Sequence, residues 1–398
     1  MNIKQRNLQT VFHLIQKYGP IERKQIQDLS DFSWGAVSQY TSALMRAGIV
    51  VQSHVLMGNV GKAPSTLEIS SDDHYLVGVD LSPHSIRVLI TDLKGNTLKS
   101  RVAAVLDVGK IVSLLLDTLE QTLSEYIGEK HILAISISAQ GSTDEERGIA
   151  LYLTFDPAWR NLNLRQVVEM HFGIRTFVFH DPDCVMIAEK YFGVWRDDYK
   201  NVIAVNVNYG VGLSLLCDSK LYTSTNRRSG ELGHVVVAPD GALCSCGKHG
   251  CLEAYASKSG ILNRYIEAAN NGEASVGGID DSFPFTYEAI KNSAENGDPL
   301  SCRLFLDAGR LLGQTCSSLV SIFDPDVIIL YGEFINDRAL YQKIMESAFF
   351  ENLYPGSNTP LLYSQLGGSA MALGAAFLAL DKILNGFLKE MTAADREE

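Results

Sequence analysis

Residues 234–251 read His-Val-Val-Val-Ala-Pro-Asp-Gly-Ala-Leu-Cys-Ser-Cys-Gly-Lys-His-Gly-Cys, which puts His234, Cys244, Cys246 and Cys251 within one short stretch. One imidazole and three thiolates complete a tetrahedral set with no open position, the donor set of a structural zinc ion. Gly247 and Gly250 let the chain wrap closely around a metal. The alternative is three free thiols in a surface loop, which would be an oxidation liability. The chain has seven cysteines, an odd number. The opening residues, MNIKQRNLQTVFHL, have no apolar signal core with a cleavage site, so a disulfide framework is not expected. No run of eighteen apolar residues exists, so no membrane span is expected, and a soluble cytoplasmic protein is the default reading.

The first seventy residues have a texture of their own. Leu8, Val11, Phe12 and Ile15 recur at helical spacing over 5–18, and Gly19-Pro20 stops that helix. A second helix is expected over 21–29. Ser33 is placed to cap a third, 34–46, bearing Ala36, Val37, Tyr40 and Leu44. Strands at 49–51 and 65–69 flank a turn at 58–62. Three helices and a hairpin are the order of a winged helix-turn-helix, expected over 1–70. In that motif the start of the recognition helix enters the major groove, so Ser33, Trp34, Gly35, Ser38 and Gln39 are the candidate DNA contacts. Gln39 can pair with adenine, and the serines with bases or phosphate. Arg23 and Lys24 are candidates to neutralise backbone charge, and Asn59 and Lys62 sit at the wing tip. Trp34 fits equally well as a packing residue at a helix start.

Charge points the same way. The chain carries a net charge of −12, yet residues 1–62 hold seven Lys/Arg against three Asp/Glu, a net of +4, leaving −16 elsewhere. Only the head suits a polyanion, although +4 over sixty residues is also within chance. A protein-binding winged helix is the other reading of the head. Helix order and charge favour DNA.

From residue 75 the pattern becomes α/β. Buried strands are expected at YLVGVDLS, SIRVLITDL, HILAISISA, RTFVFHD, NVIAVNVNYG, VGLSLLCD and DVIILYG, with helices over 108–127, 252–270, 284–296 and 298–322 and a Gly/Ala-rich helix at the end. Strand hairpins recur twice, each followed by helices, which reads as two similar lobes around a cleft. The first lobe is assigned to 75–190, with a C-terminal helix, 367–390, returning to it. The second is assigned to 191–366 and includes the cysteine cluster.

The segment GHVVVAPDGALCSCGKHGCLE resembles the signature of the ROK family of sugar kinases and sugar-responsive repressors. VGVDLSPHSIRVLITDLKGN, ISISAQGSTDEERG, VFHDPDCVMIAE, SIFDPDVIILYGEF and GSAMALGAAFLAL resemble further motifs of the same family, so the likeness spans almost the whole chain. The resemblance implies a two-lobed, actin-like ATPase (sugar kinase-like) fold behind the winged helix-turn-helix. It implies that Asp181 stands where the kinases keep their catalytic base, here flanked by His180 and Pro182. It implies that Glu231, His234 and Glu253 face sugar hydroxyls, and it makes Gly141 and His180 further sugar-side candidates. His234 would then serve metal and sugar through different ring nitrogens.

Phosphate chemistry needs a Gly-rich cradle. The first family phosphate motif, roughly Asp-x-Gly-Gly-Thr, reads Asp80-Leu81-Ser82-Pro83-His84 here, and Pro83 removes a backbone donor. The second, Gly-Thr-Gly-x-Gly-x-Gly, begins Asn208-Tyr209-Gly210. A tyrosine in that turn obstructs a phosphate. The expectation is therefore a regulator without enzymatic activity, with Asp181 vestigial. It would bind operator DNA as a homodimer or dimer of dimers and respond to a sugar or sugar phosphate. The alternatives are an ATP-dependent sugar kinase with an added head, and a regulator that answers to a transport protein, as one family branch does. The wing departs from the family pattern, with Gly61-Lys62-Ala63-Pro64 lacking the usual arginine.

Overall fold

The computed structural model describes residues 3–54, 65–70, 74–128, 131–153, 156–196, 198–224, 229–273 and 285–394. The chain divides into two compact units. One is Met1–Leu151, Ala158–Ile187 and Met371–Glu398; the other is Tyr152–Pro157 and Ala188–Ala370.

The first unit opens with the head. Helix α1 (Ile3–Tyr18) buries Leu8, Val11, Phe12 and Ile15. A two-residue strand, β1 (Ile21–Glu22), precedes α2 (Arg23–Ser30). Residues 21 and 22, expected within the helix, instead pair with Leu67 and Thr66. The helix starts after them because the Glu22 amide donates to the Gln25 side chain at 3.0 Å, half of a capping box. Helix α3 (Trp34–Arg46) is capped by Ser33, whose hydroxyl accepts the Ala36 amide at 3.3 Å. Strands β2 (Val50–His54) and β3 (Ser65–Ile69) complete a sheet ordered β1-β3-β2. The turn holding Asn59 and Lys62 lies outside the described residues.

The rest of this unit surrounds a five-stranded sheet. Strands β4 (His74–Leu81), β5 (Ser85–Asp92) and β6 (Thr97–Ala104) form an antiparallel meander. After α4 (Ile111–Leu123), β7 (His131–Ala139) runs parallel beside β4. A small sheet of β8 (Ser142–Asp144), β9 (Ile149–Leu153) and β10 (Asp156–Leu162) follows. Then come α5 (Leu164–Phe172), β11 (Thr176–His180) and α6 (Asp181–Phe192). The sheet order is β11-β7-β4-β5-β6. Its inner strands are continuous apolar runs because both faces are covered, whereas edge strand β6 is largely exposed and carries Lys99 and Arg101.

The second unit repeats the plan. Its sheet contains β12 (Val202–Val207), β13 (Val211–Cys217) and β14 (Lys220–Leu221), with β15 (Val327–Tyr331) and β16 (Leu361–Tyr363) parallel beside β12. The order β14-β13-β12-β15-β16 places an antiparallel meander next to two parallel strands, as in the first unit. The helices are α7 (Glu253–Ala256), α8 (Lys258–Asn270), α9 (Tyr287–Glu295), α10 (Pro299–Phe323), α11 (Glu333–Asn336) and α12 (Gln342–Glu351). The helix expected over 252–270 breaks at Ser257, whose extended backbone lets its hydroxyl cap the Gly260 amide at 2.9 Å. Phe305, Phe334 and Tyr341 stack in the core, with ring centroids 6.1 and 4.7 Å apart.

Helix α13 (Ala370–Ala394) carries the chain back to the first unit. It lies directly on β4: a Cβ on Gly78 would fall 1.9 Å from the Ala372 carbonyl oxygen. It also meets the head, where the Gln9 side chain donates to the Asp381 carbonyl at 3.2 Å. Among the described residues no helix is long and apolar enough to cross a membrane.

Candidate functional site

In the second unit, the loop between β14 and α7 gathers His234, Cys244, Cys246 and Cys251, whose ligand atoms all lie within 4.8 Å of one another. Cys244 Sγ is 3.6 Å from His234 Nδ1, and Cys246 Sγ is 3.7 Å from Cys251 Sγ. A tetrahedron of thiolates about a zinc ion has edges of roughly 3.8 Å, given metal–sulfur bonds near 2.3 Å. The donor set therefore fits a four-coordinate divalent metal. The loop holds this shape through local bonds. The Ala242 amide donates to the Tyr255 hydroxyl at 2.8 Å, the Val237 amide to the Gly250 carbonyl at 2.8 Å, and Lys248 Nζ to the His234 carbonyl at 2.9 Å. Gly250 has φ +75°, and any side chain there would meet the Ala238 carbonyl. Burial pushes the Cys244 thiol up, and burial with its neighbouring thiols pushes Cys251 up to about 12. Burial opposes ionisation of Cys246 too, but the Lys248 amide and the other two thiols bring it below the usual range. Three adjacent thiolates need a cation to coexist, and a metal held by this donor set would supply it.

Three of the sugar-side candidates surround this loop. Glu231 precedes the single turn Leu232–His234, and its carboxylate lies 3.9 Å from His234 Nε2, so the two ring nitrogens of His234 face different partners. Glu253 opens α7. Burial raises its carboxyl above the usual range, against the pull of His234, and its two oxygens accept the Val211 amide and the Ser245 hydroxyl, each at 3.2 Å. Glu253 therefore already fastens the β12–β13 turn to the metal loop.

The other candidates belong to the first unit. Gly141, with φ +80°, sits in the turn between β7 and β8. His180 ends β11 and Asp181 begins α6, with 3.7 Å between His180 Nε2 and the Asp181 carboxylate. Glu145, in the turn after β8, is not among the residues to which the sequence points. Burial and the charge of Asp183 raise its carboxyl above the usual range, with Lys382 and His180 acting against them. The acidic pair Glu145-Glu146 was the available signal, but the partners that make Glu145 unusual lie far away in sequence.

Both turns that resemble phosphate motifs make contacts within the protein. After β4, the Ser82 hydroxyl accepts the Ser85 amide at 3.1 Å and the His84 amide at 3.4 Å, so those donors point inward. In the β12–β13 turn the Tyr209 ring lies 5.0 Å from the Lys258 ammonium. That ammonium is 2.7 Å from Glu333, 3.6 Å from Glu288 and 4.7 Å from the Tyr287 ring centroid. Burial works most strongly against the charge on Lys258, but the Glu333 hydrogen bond and the charges of Glu333, Tyr209 and Glu288 together hold the ammonium above the ordinary lysine range.

On the head, Ser33, Trp34, Gly35 and Gln39 are exposed on α3, Ser38 is half-buried, and Trp34 shows 53% of its surface. Lys24 is exposed and pairs with Asp28 at 3.1 Å. Arg23 behaves differently from the expectation of an outward cation. Its guanidinium donates to Thr41 Oγ1 at 3.0 Å and to Met45 Sδ at 3.3 Å, tying α2 to α3.

Together these features define a class: an α/β body whose two units share one sheet order, carrying a helix-turn-helix head. Residues 76–382 match the ROK family, and the chain belongs to that family. Among its relatives, the DNA-binding transcriptional dual regulator NagC of Escherichia coli strain K12 is 28% identical over 391 residues, covering 97% of this chain and 95% of the relative. The xylose repressor of Bacillus subtilis strain 168 is 24% identical over 388 residues, covering 96% and 97%. Among solved structures, a ROK family transcriptional regulator described as a homolog of the E. coli MLC protein superposes with a TM-score of 0.79 at 25% identity, covering 98% of both chains. A ROK family glucokinase from Streptomyces griseus, in complex with glucose and AMPPNP, superposes with a TM-score of 0.65 at 26% identity, covering 76% of this chain and 98% of its own. Full-length likeness is to the regulators, and the kinase is the more distant neighbour.

Proposed function

We propose that this protein is a sugar-responsive transcription regulator, acting as a repressor of carbohydrate genes. The observation that carries the reading is the head, whose α3 presents an exposed, capped N-terminus bearing Ser33, Trp34, Gly35 and Gln39 on a chain that otherwise resembles a sugar kinase. That end of a recognition helix is the part that reads base edges. The head binds operator DNA as a homodimer, since a two-fold assembly matches palindromic half-sites.

The body is a sensor with no kinase activity. The residues assigned to sugar are Gly141, His180 and Asp181 in the first unit, and Glu231, His234 and Glu253 in the second. Tyr209 stands in the β12–β13 turn where bulk obstructs a phosphate, and the nearby Lys258 ammonium is already engaged by Glu333 and Glu288. The metal at His234, Cys244, Cys246 and Cys251 is zinc. It is structural, because four protein ligands leave no open position, and it fixes the wall formed by Glu231 and Glu253.

A gel shift with genomic fragments, run with and without a sugar panel, tests the regulator reading. Specific retention that a sugar changes is the expected result, and no specific retention at moderate salt refutes it. A coupled kinase assay over the same panel tests the second claim, which robust turnover with any hexose would overturn.

A further inference from the structure

The first unit holds a charged pair that none of the assignments above uses. Glu145 keeps only 26% of its side chain exposed, and its carboxyl is crowded by Asp183. The charge that offsets this comes from Lys382 of α13, whose ammonium stands 3.8 Å from the Glu145 carboxylate and 5.8 Å from the centroid of the Phe179 ring. Phe179 immediately precedes His180. A partly desolvated carboxylate next to a second carboxylate is costly unless a cation stays close.

The neighbour of Lys382 on the same helix faces elsewhere. Asp381 is buried, and its carbonyl accepts the Gln9 side chain of α1 at 3.2 Å. A second bond runs from the same face of the head, with the Gln16 side chain donating to the Leu93 carbonyl at 3.4 Å. One turn of α13 thus touches the wall carrying His180 with one residue and the DNA-binding head with the next.

We propose that the Glu145–Lys382 pair is the contact through which a sugar at His180 and Asp181 is felt by the head; this rests on the sugar-regulator reading above. A sugar hydroxyl that donates to Glu145 competes with the Lys382 ammonium for the same carboxylate. Once that attraction weakens, α13 is free to shift, and the Asp381 carbonyl moves relative to Gln9. A ligand moves an equilibrium only by binding two arrangements unequally. Here the unequal element is a single ion pair, present in the sugar-free arrangement and given up in the other.

The test uses full-length protein, a genomic fragment retained by the wild type, and a panel of D-glucose, D-xylose, N-acetyl-D-glucosamine and the 6-phosphates of glucose and N-acetylglucosamine. Lys382→Met keeps an apolar stem over Phe179 and removes the charge. Without sugar, it is expected to bind DNA with the affinity the wild type shows at saturating sugar, so the ratio of the two affinities falls to within about twofold of one. By reciprocity, calorimetry is expected to show the sugar binding more tightly by the factor lost from that ratio. A damaged fold would weaken both. Glu145→Gln moves both readouts the same way, and Gln9→Leu combined with Lys382→Met is non-additive. A wild-type ratio in Lys382→Met overturns the inference while leaving the regulator intact. If no panel member gives binding heat with the wild type, the sugar reading falls and this inference falls with it.

Discussion

Substituting Gly250 by alanine places one carbon atom where the metal loop has no room. The added Cβ falls 1.8 Å from the Ala238 carbonyl oxygen. A close carbon–oxygen contact is roughly 3.3 Å, so the two backbone segments must separate by about 1.5 Å. The φ of +75° adds about 1–2 kcal/mol for any residue with a Cβ. Metal–ligand distances tolerate errors of about 0.2 Å, and Gly250 is bonded directly to Cys251, so this displacement takes one thiolate out of reach. Gly247 provides the control. Its φ is +84°, yet nothing lies within 4 Å of the Cβ position, so Gly247→Ala carries the conformational cost alone. Competition with a chromogenic chelator should show zinc held about 100-fold more weakly or worse by Gly250→Ala, and within about tenfold of the wild type by Gly247→Ala. Undiminished affinity in Gly250→Ala would refute the steric argument. So would equal losses in both variants, because the clash would then not be the cause.

Other perturbations separate reading, holding and sensing. Trp34→Ala should lower operator affinity by about 1–3 kcal/mol in a gel shift and change thermal unfolding little, since Trp34 is exposed at the start of α3. Lys24→Ala should weaken all DNA sequences alike and reduce the salt slope by about one. Arg23→Leu removes two donors that join α2 to α3 and should destabilise the head by about 1–3 kcal/mol in denaturant unfolding, an effect Lys24→Ala lacks. Glu231→Ala should abolish the sugar response while DNA binding persists, and retained induction would remove Glu231 from the sugar assignment.

What could be read from the sequence depended on how local the determining contacts are. The third helix of the head begins at Trp34 as expected, because Ser33 announces it one residue earlier. Strand β7 follows its apolar run from His131 to Ala139. The cluster of His234, Cys244, Cys246 and Cys251 is legible because the four share one loop, so spacing alone brings them together. Helix α6 went unread for a physical reason. Cys184, Val185, Met186, Ile187 and Ala188 are all buried, and a helix covered on every side has no 3.6-residue period. Strand β1 is too short for any alternation, and it exists only because β3 passes beside it. Arg23 looked like an outward cation because nothing near it in sequence shows that Thr41 and Met45 accept its donors. Glu145 was hidden for the same reason, since its partner stands on the last helix.

That last helix also sets an order of events during synthesis. The second unit is almost continuous, from residue 188 to residue 370, and can close as soon as it has been made. The first unit cannot. Its strand β4 ends at Leu81, while the helix that covers Gly78 begins near residue 371. About 290 residues separate them, which at ribosomal speeds is roughly 15 to 60 s. Through that interval the groove over Gly78 stands open and Gln9 has no Asp381 carbonyl to bind. A polypeptide that stops short of residue 371 therefore holds its head through the Gln16–Leu93 bond without the one from Gln9, and only a chain translated through α13 makes both.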